Sequence, residues 1–235
     1  MGTRPVQRES LRERIQDRLR DFASGTPARF AVVVFLTLIA IFTIVFSLPV
    51  STSSGTSASF VDAVFTAVSV ICVTGLSTVD MATFWSPLGH VFVFLGVEIG
   101  GIGVLTVASI LGLVISRKLG LRQKLMAAGD ANPLRIRKGP IAESQAIRLG
   151  ETGNLLATVA VSVLVIEFFV ALLIFPRMLL EGVPLLEAAW ESVYIAAMAF
   201  TNTGFLPTPT GLEPYGSDWW FLGALMIGVV FGAIG

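Results

Sequence analysis

With 54% of its 235 residues hydrophobic and only 14% charged, this chain has a mean hydropathy of +0.82. A soluble domain carries about 25% charged residues, so the composition excludes one and points to an integral membrane protein. Sixteen basic residues balance sixteen acidic ones, which leaves no net charge to recruit nucleic acid.

Residues 1–29 form a charged leader without the short apolar core and small-residue cleavage site of a signal peptide. Within it, Leu11, Ile15, Leu19 and Phe22 recur at helical spacing, which predicts an amphipathic cytoplasmic helix lying on the inner membrane surface or docking a cytosolic partner. Residues 30–48 carry no charge and are long enough for a first crossing. A Ser/Thr/Gly linker over 51–59 follows, and Ser59 stands three residues before Asp62, the spacing of a capping box at a helix start. The helix expected over 60–71 spans about 18 Å, roughly half the hydrocarbon thickness. It ends at Cys72-Val73-Thr74-Gly75-Leu76, where the glycine permits backbone angles closed to other residues. The chain then has to return outward to Pro87, which makes 60–86 a re-entrant hairpin.

Residues 91–115 are a second crossing whose only charge is Glu98. Its glycines, Gly96, Gly100, Gly101 and Gly103, lack the strand and the spacing of a nucleotide fingerprint and read as close helix packing. The basic stretch 116–154 is expected to be a cytoplasmic loop. Residues 155–175, with Glu167 alone charged, are a third crossing, and 219–235 begin a fourth. Between them a second run of about 12 residues ends at Thr201-Asn202-Thr203-Gly204-Phe205.

Residues 1–29 and 116–154 hold fifteen of the sixteen basic residues; Arg177 is the exception. The positive-inside rule puts these segments, and so the N-terminus, in the cytoplasm, and both half-helices then enter from outside. The two halves are copies. A shift of 129 superposes Asp62 on Glu191, Thr74 on Thr203 and Gly75 on Gly204, and a shift of 132 superposes Gly96, Gly100 and Gly103 on Gly228, Gly232 and Gly235. The units are therefore 30–115 and 155–235. The second stops short of the cytoplasmic side, where unpaired carbonyls would be costly in lipid, so the chain is expected to be an incomplete piece.

A half-helix that points its C-terminus inward offers a partial negative charge at the membrane centre. The strand expected after it can aim carbonyls at a bare cation, and Thr74 and Thr203 can add hydroxyls. These are neutral oxygens; a divalent ion would want carboxylates, and neither segment has one. Asp62, Asp80 and Glu191 fit helix capping at the outer ends, with a mild pull on cations in a vestibule as the alternative. Glu98 and Glu167 are expected to be buried with a hydrogen-bond partner, an ion-coupling role being the other reading. His90 reads as an interfacial polar residue, and Trp85, Trp190, Trp219 and Trp220 as an outer aromatic belt. Cys72, the single cysteine, excludes an intrachain disulfide and reads as a small packed hydrophobe. No nucleophile–base pair or metal cluster can be assembled, so the chain is not expected to be an enzyme or to bind a covalent cofactor.

Residues 65–77, Phe65-Thr66-Ala67-Val68-Ser69-Val70-Ile71-Cys72-Val73-Thr74-Gly75-Leu76-Ser77, resemble the first pore segment of the Ktr/Trk/HKT potassium transporters. Residues 199–205, Ala199-Phe200-Thr201-Asn202-Thr203-Gly204-Phe205, are similar to the second. The resemblance implies an all-α integral membrane fold of repeated membrane helix–pore helix–membrane helix units around one pore, with two of four repeats present here. It implies a selectivity filter at Cys72, Val73, Thr74, Gly75, Leu76, Thr201, Asn202, Thr203, Gly204 and Phe205. Potassium would be held at Val73, Thr74, Gly75, Asn202, Thr203 and Gly204, with Gly75 favouring potassium over sodium and sodium left open as a coupling or regulatory ion. It also implies a bacterial inner-membrane subunit, closest to the KtrB type, that dimerises on a cytosolic RCK ring of nucleotide-binding subunits. The family's gating loop and pore-facing arginine belong to the third and fourth repeats. A tandem-pore potassium channel, in which two such chains complete the pore, is the alternative.

Overall fold

The computed structural model describes residues 27–107 and 144–234, with side chains over 31–107 and 157–234. The amphipathic stretch 6–22 and residues 116–143 of the basic loop lie outside them. Among the described residues the fold is all-helical, and the sole β feature is an antiparallel bridge between Thr52 and Trp85.

Helix α1 runs Pro27–Ser47, α2 Phe60–Ile71, the short α3 Met81–Phe84, and the described part of α4 Pro87–Val107. The second half comprises α5 Ser144–Leu180, α6 Leu185–Phe200 and α7 Trp219–Ile234. Within these, Pro87–Val107 and Ala157–Leu180 are long and apolar enough to cross a membrane, whereas Ala31–Ser47 and Trp219–Ile234 are shorter. Helix α5 starts at Ser144, inside the segment expected to be loop, and passes residue 175 through Pro176 to a left-handed Gly182. There Val183 N–H bonds the Met178 carbonyl at 3.1 Å and Gly182 N–H the Leu179 carbonyl at 3.1 Å, a Schellman stop that glycine makes possible.

Expected and observed bounds agree for α2. Ser59 caps it as the spacing required: its hydroxyl accepts from Asp62 N–H at 3.1 Å and donates to the Asp62 carboxylate at 2.6 Å. Helix α6 is longer than its copy. It begins at Leu185, so Glu191 lies inside the helix and is buried rather than capping, and Glu187 occupies the first turn. The Ser/Thr/Gly stretch after α1 is no loose linker. Ser51 and Thr52 are buried, Ser86 N–H bonds the Ser51 carbonyl at 2.9 Å, and the Ser86 hydroxyl bonds the Val50 carbonyl at 2.6 Å. Trp85 is sealed beneath this lacing against Phe46, ring centroids 4.9 Å apart, so it belongs to the core and not to an aromatic belt. Trp219 and Trp220 do stand exposed, and the Trp220 indole reaches the Leu173 carbonyl at 2.9 Å in the turn that Pro176 loosens.

The two halves pack in the same way, and the glycines show it. A side chain on Gly100 would strike the carbonyl of Ile71, at the end of α2; one on Gly232 would strike the carbonyl of Phe200, at the end of α6. One turn earlier, Gly96 abuts Val70 and Phe42, while Gly228 abuts Ala199 and Val170. The glycines are thus contact points for helix on helix, and not a phosphate cradle. The core joins the halves as well, since Tyr194, Met198 and Phe205 are buried in the cluster built on Phe46, Val70, Ile71 and Val97. Large apolar side chains face outward along α1 and α5, among them Leu36, Ile44, Leu164, Phe168 and Leu172, a surface that lipid rather than water would cover.

Candidate functional site

Both short helices end in the same turn. Val73 and Asn202 each have φ +56°, and Gly75 and Gly204 each have φ +73°. The segments are therefore not β-strands, as the sequence reading expected, but alternate left-handed residues with an ordinary one between. A β-branched residue such as Val73 at positive φ is a true outlier that costs about 1–2 kcal/mol, whereas Asn202 tolerates the angle better. Hydrogen bonds to the preceding helix hold the strain. In the first turn, Val73 N–H reaches the Val70 carbonyl at 3.3 Å and Thr74 N–H the Ser69 carbonyl at 2.8 Å. In the second, Thr203 N–H and Gly204 N–H both reach the Met198 carbonyl, at 3.0 and 3.3 Å.

With the amides turned back onto the helices, the carbonyls are left over. Among the described residues no hydrogen bond is accepted by the carbonyls of Val73, Thr74 and Gly75, or by those of Asn202, Thr203 and Gly204. The threonine hydroxyls are not free in the same way. Thr74 Oγ1 donates to Ser69 Oγ at 2.9 Å, and Thr203 Oγ1 pairs with Thr201 Oγ1 at 2.7 Å, with Thr201 Oγ1 also 2.7 Å from the Ala197 carbonyl. The uncommitted oxygens are backbone ones. Helices α2 and α6 also point their C-termini, and hence partial negative charge, at these turns.

The turns come together. A Cβ on Gly75 would run into the carbonyl of Thr203, so only glycine lets the first segment approach the second. At Gly204 nothing among the described residues lies within 4 Å of a Cβ, and that flank is open. Beside both glycines is an open depression of about 320 Å³ lined by Ser77, Asp80, Ala82, Phe205 and Thr208 as well. Cys72 is exposed at the deep end of α2, the reverse of the packed position expected, because it caps the helix on the side away from the core. Leu76 is exposed beside Gly75, while Phe205, its counterpart, is buried in the shared core.

Ser69 is the residue that the sequence reading missed. Buried in α2, its hydroxyl accepts from Leu76 N–H at 3.0 Å and from the Thr74 hydroxyl, so one side chain ties down both ends of the first turn. A polar residue on the buried face of a short helix was the available signal. Its counterpart at the shift of 129 is Met198, which has no hydroxyl, and Thr201 takes over the bracing in the second turn.

Asp62 and Asp80 lie at helix starts, as expected of capping acids. Asp80 accepts from Ala82 and Thr83 N–H at 2.9 and 3.1 Å. Asp62 accepts from Ser59 and from Thr78 at 2.7 Å, and these two hydroxyl bonds hold its carboxyl below the usual range. His90 is not a solvated polar residue; it is buried with its ring 5.9 Å from that of Tyr194, at the seam between the halves. Glu98 and Glu167 are buried as expected, and among the described residues no other group gives a hydrogen bond to either oxygen of Glu98 or to Oε1 of Glu167.

Apolar helices in two matching units define a membrane protein, and comparison with known families gives its class. Residues 14–235 match the TrkH family, described as a cation transport protein, and the chain belongs to that family, one of transporters and not of enzymes. Among curated proteins it is similar to Ktr system potassium uptake protein D of Bacillus subtilis (strain 168), 30% identical over 210 residues, which cover 89% of this chain and 44% of that protein. It is 27% identical over 206 residues to Ktr system potassium uptake protein B of the same organism, covering 86% of this chain and 42% of the relative. A potassium/sodium uptake protein, NtpJ of Enterococcus hirae, is 24% identical over 200 residues, 83% of this chain and 39% of its own. The chain spans less than half the length of these relatives.

Proposed function

We propose that this chain forms part of the pore of a potassium uptake transporter in a bacterial plasma membrane. Potassium is held by the carbonyls of Val73, Thr74 and Gly75 from one repeat and of Asn202, Thr203 and Gly204 from the other, with Cys72, Leu76, Thr201 and Phe205 flanking them. The observation that carries the reading is the repeated left-handed turn, which commits its amides to the preceding helix and leaves its carbonyls without partners. Unpaired carbonyls at membrane depth are costly unless something replaces water around them, and a desolvated monovalent cation does so at the same place. The names of the relatives, all potassium uptake proteins and one potassium/sodium, agree with that cargo.

The repeats are 30–115 and 155–235, each a membrane helix, a re-entrant pore helix and a second membrane helix, with the N-terminus and the basic segment 116–154 cytoplasmic. The open flank at Gly204 is where another pore segment stands in the assembled pore, as Thr203 stands beside Gly75. That segment comes from further repeats of the same polypeptide. The arginine-rich leader and the segment 116–154 face a cytosolic ring of nucleotide-binding subunits, and the transporter is a homodimer. One glycine per turn makes a short filter, so discrimination against sodium is weaker than in a channel with a full five-residue strand.

Potassium-limited growth of a host lacking its own uptake systems tests the filter. Gly75→Ala and Gly204→Ala should both abolish growth while leaving the protein in the membrane. Survival of Gly204→Ala alone would mean that no segment stands at that flank, and survival of both would remove the filter from these turns. Gly75→Ser should admit sodium; unchanged sodium exclusion would count against the carbonyl reading.

A further inference from the structure

Two carboxyl groups at membrane depth play no part in the filter, Glu98 on α4 and Glu167 on α5, only 8% and 5% exposed. On α4, Phe94, Glu98 and Gly101 share one helical face, and that face meets α6. The Phe94 ring lies 5.7 Å from that of Trp190 and 6.3 Å from that of Tyr194, and a Cβ on Gly101 would sit 3.1 Å from the Thr201 methyl. On α5, Val163, Glu167, Val170 and Ile174 form the buried stripe, and Glu167 is its one polar member. The two carboxyl groups lie close enough to interact across the boundary between the halves, beside α6 and its C-cap Thr201.

Among the described residues nothing else satisfies them. Glu98 receives no hydrogen bond at either oxygen, and Glu167 none at Oε1. Among the described side chains, the other charged groups on the surrounding helices stand towards the outer side. Arg177 on α5 is paired with Asp218, His90 on α4 rests on Tyr194, and α6 brings only Glu187, Glu191 and the Tyr194 hydroxyl. Described side chains of α1 and α7 carry no charge, and Asp62 on α2 is at the outer mouth. Two carboxylates sharing an apolar site cannot both remain ionised. A metal ion would need about six oxygens, and no group of three His, Cys, Asp or Glu gathers among the described residues.

We propose that Glu98 and Glu167 share a proton, the O–H of one acid donating to the carboxylate of the other, and so clamp the two repeats together behind the second turn. The clamp is independent of the filter assignment. Removal of the proton leaves two facing anions that push α4 and α5 apart next to Thr201, so alkaline conditions loosen the seam.

The test is thermal unfolding of the full-length protein in nanodiscs between about pH 6 and about pH 9, for the wild type and for E98Q, E167Q and the double variant. An amide donates to the remaining carboxylate as the shared proton does. The wild-type Tm should therefore fall by about 3 °C or more across the range, and the single variants should keep the acid-side value with no such fall. An equal fall in wild type and variants, or a flat wild type, overturns the clamp. So does a wild-type Tm at alkaline pH that sodium, potassium or calcium ions raise and that these ions leave unchanged in E98Q, since a cation would then hold the pair. Should the variants not fold, infrared spectra of the wild type decide: a protonated carboxyl band that disappears on alkalisation supports the clamp, and its absence at about pH 6 overturns it.

Discussion

Replacing Ser69 by alanine removes one buried hydroxyl and, with it, two supports of the first turn. Leu76 N–H loses its acceptor at 3.0 Å and the Thr74 hydroxyl loses one at 2.9 Å. The hydroxyl pair is worth about 1 kcal/mol, and an amide left without a partner costs about 1–3 kcal/mol, so the turn is weakened by about 2–4 kcal/mol in all. That matches or exceeds the strain of about 1–2 kcal/mol at Val73, whose positive φ these bonds help to hold. The turn should relax in a sizeable fraction of molecules, and the carbonyls of Val73, Thr74 and Gly75 should lose their fixed positions. Since about 1.4 kcal/mol is a factor of ten, selectivity for potassium over sodium should drop by about tenfold or more. Competitive uptake of potassium against sodium in proteoliposomes measures this directly, with Ser69→Thr as a variant that keeps the hydroxyl. Wild-type selectivity in Ser69→Ala would refute the bracing argument, and with it the claim that backbone geometry sets the site.

Exchanging the strained residues between repeats should move stability in opposite directions. Val73→Asn gains about 1 kcal/mol because asparagine accepts positive φ, and Asn202→Val loses a similar amount, both read as shifts in thermal unfolding. Gly100→Ala and Gly232→Ala should each lower Tm, by overpacking of about 1–3 kcal/mol, because the new methyl meets a helix-end carbonyl and not a flexible side chain. Asp62, held below the ordinary carboxylate range by Ser59 and Thr78, stabilises the fold above that range, and the contribution is lost as pH falls through its lowered value. Tm should therefore fall more steeply with acidification for the wild type than for Asp62→Asn, and equal slopes of Tm against pH would remove Asp62 from the account.

Much of this molecule was open to reading from the chain alone. Helix α2 has the bounds that the Ser59–Asp62 spacing and Cys72-Val73-Thr74-Gly75 imply, because a cap and a glycine act within a few residues of themselves. The offsets of 129 and 132 paired Ile71 with Phe200 and Gly100 with Gly232, and those pairs make the same contact in both halves. Charges and periodicity did not disclose what depends on neighbours distant in sequence. Nothing local distinguishes Trp85, sealed in the core, from Trp219, exposed at the surface, or reveals that His90 would rest on Tyr194. The length of α6 was also misjudged, since Leu185 and Leu186 extend the helix outward without any capping side chain to mark the start.

The residue order by itself determined that the chain is apolar, repeated and interrupted twice by glycine-bearing turns, since these follow from transfer of side chains to lipid and from local backbone preference. Only the tertiary structure decided which polar groups are spent within the protein and which are left over. It turned the hydroxyls of Thr74 and Thr203 onto their own hairpins, left the neighbouring carbonyls uncommitted, and buried Glu98 and Glu167 among apolar helices. A hydrogen bond needs its two ends within about 3 Å, and that meeting is fixed by how the helices pack.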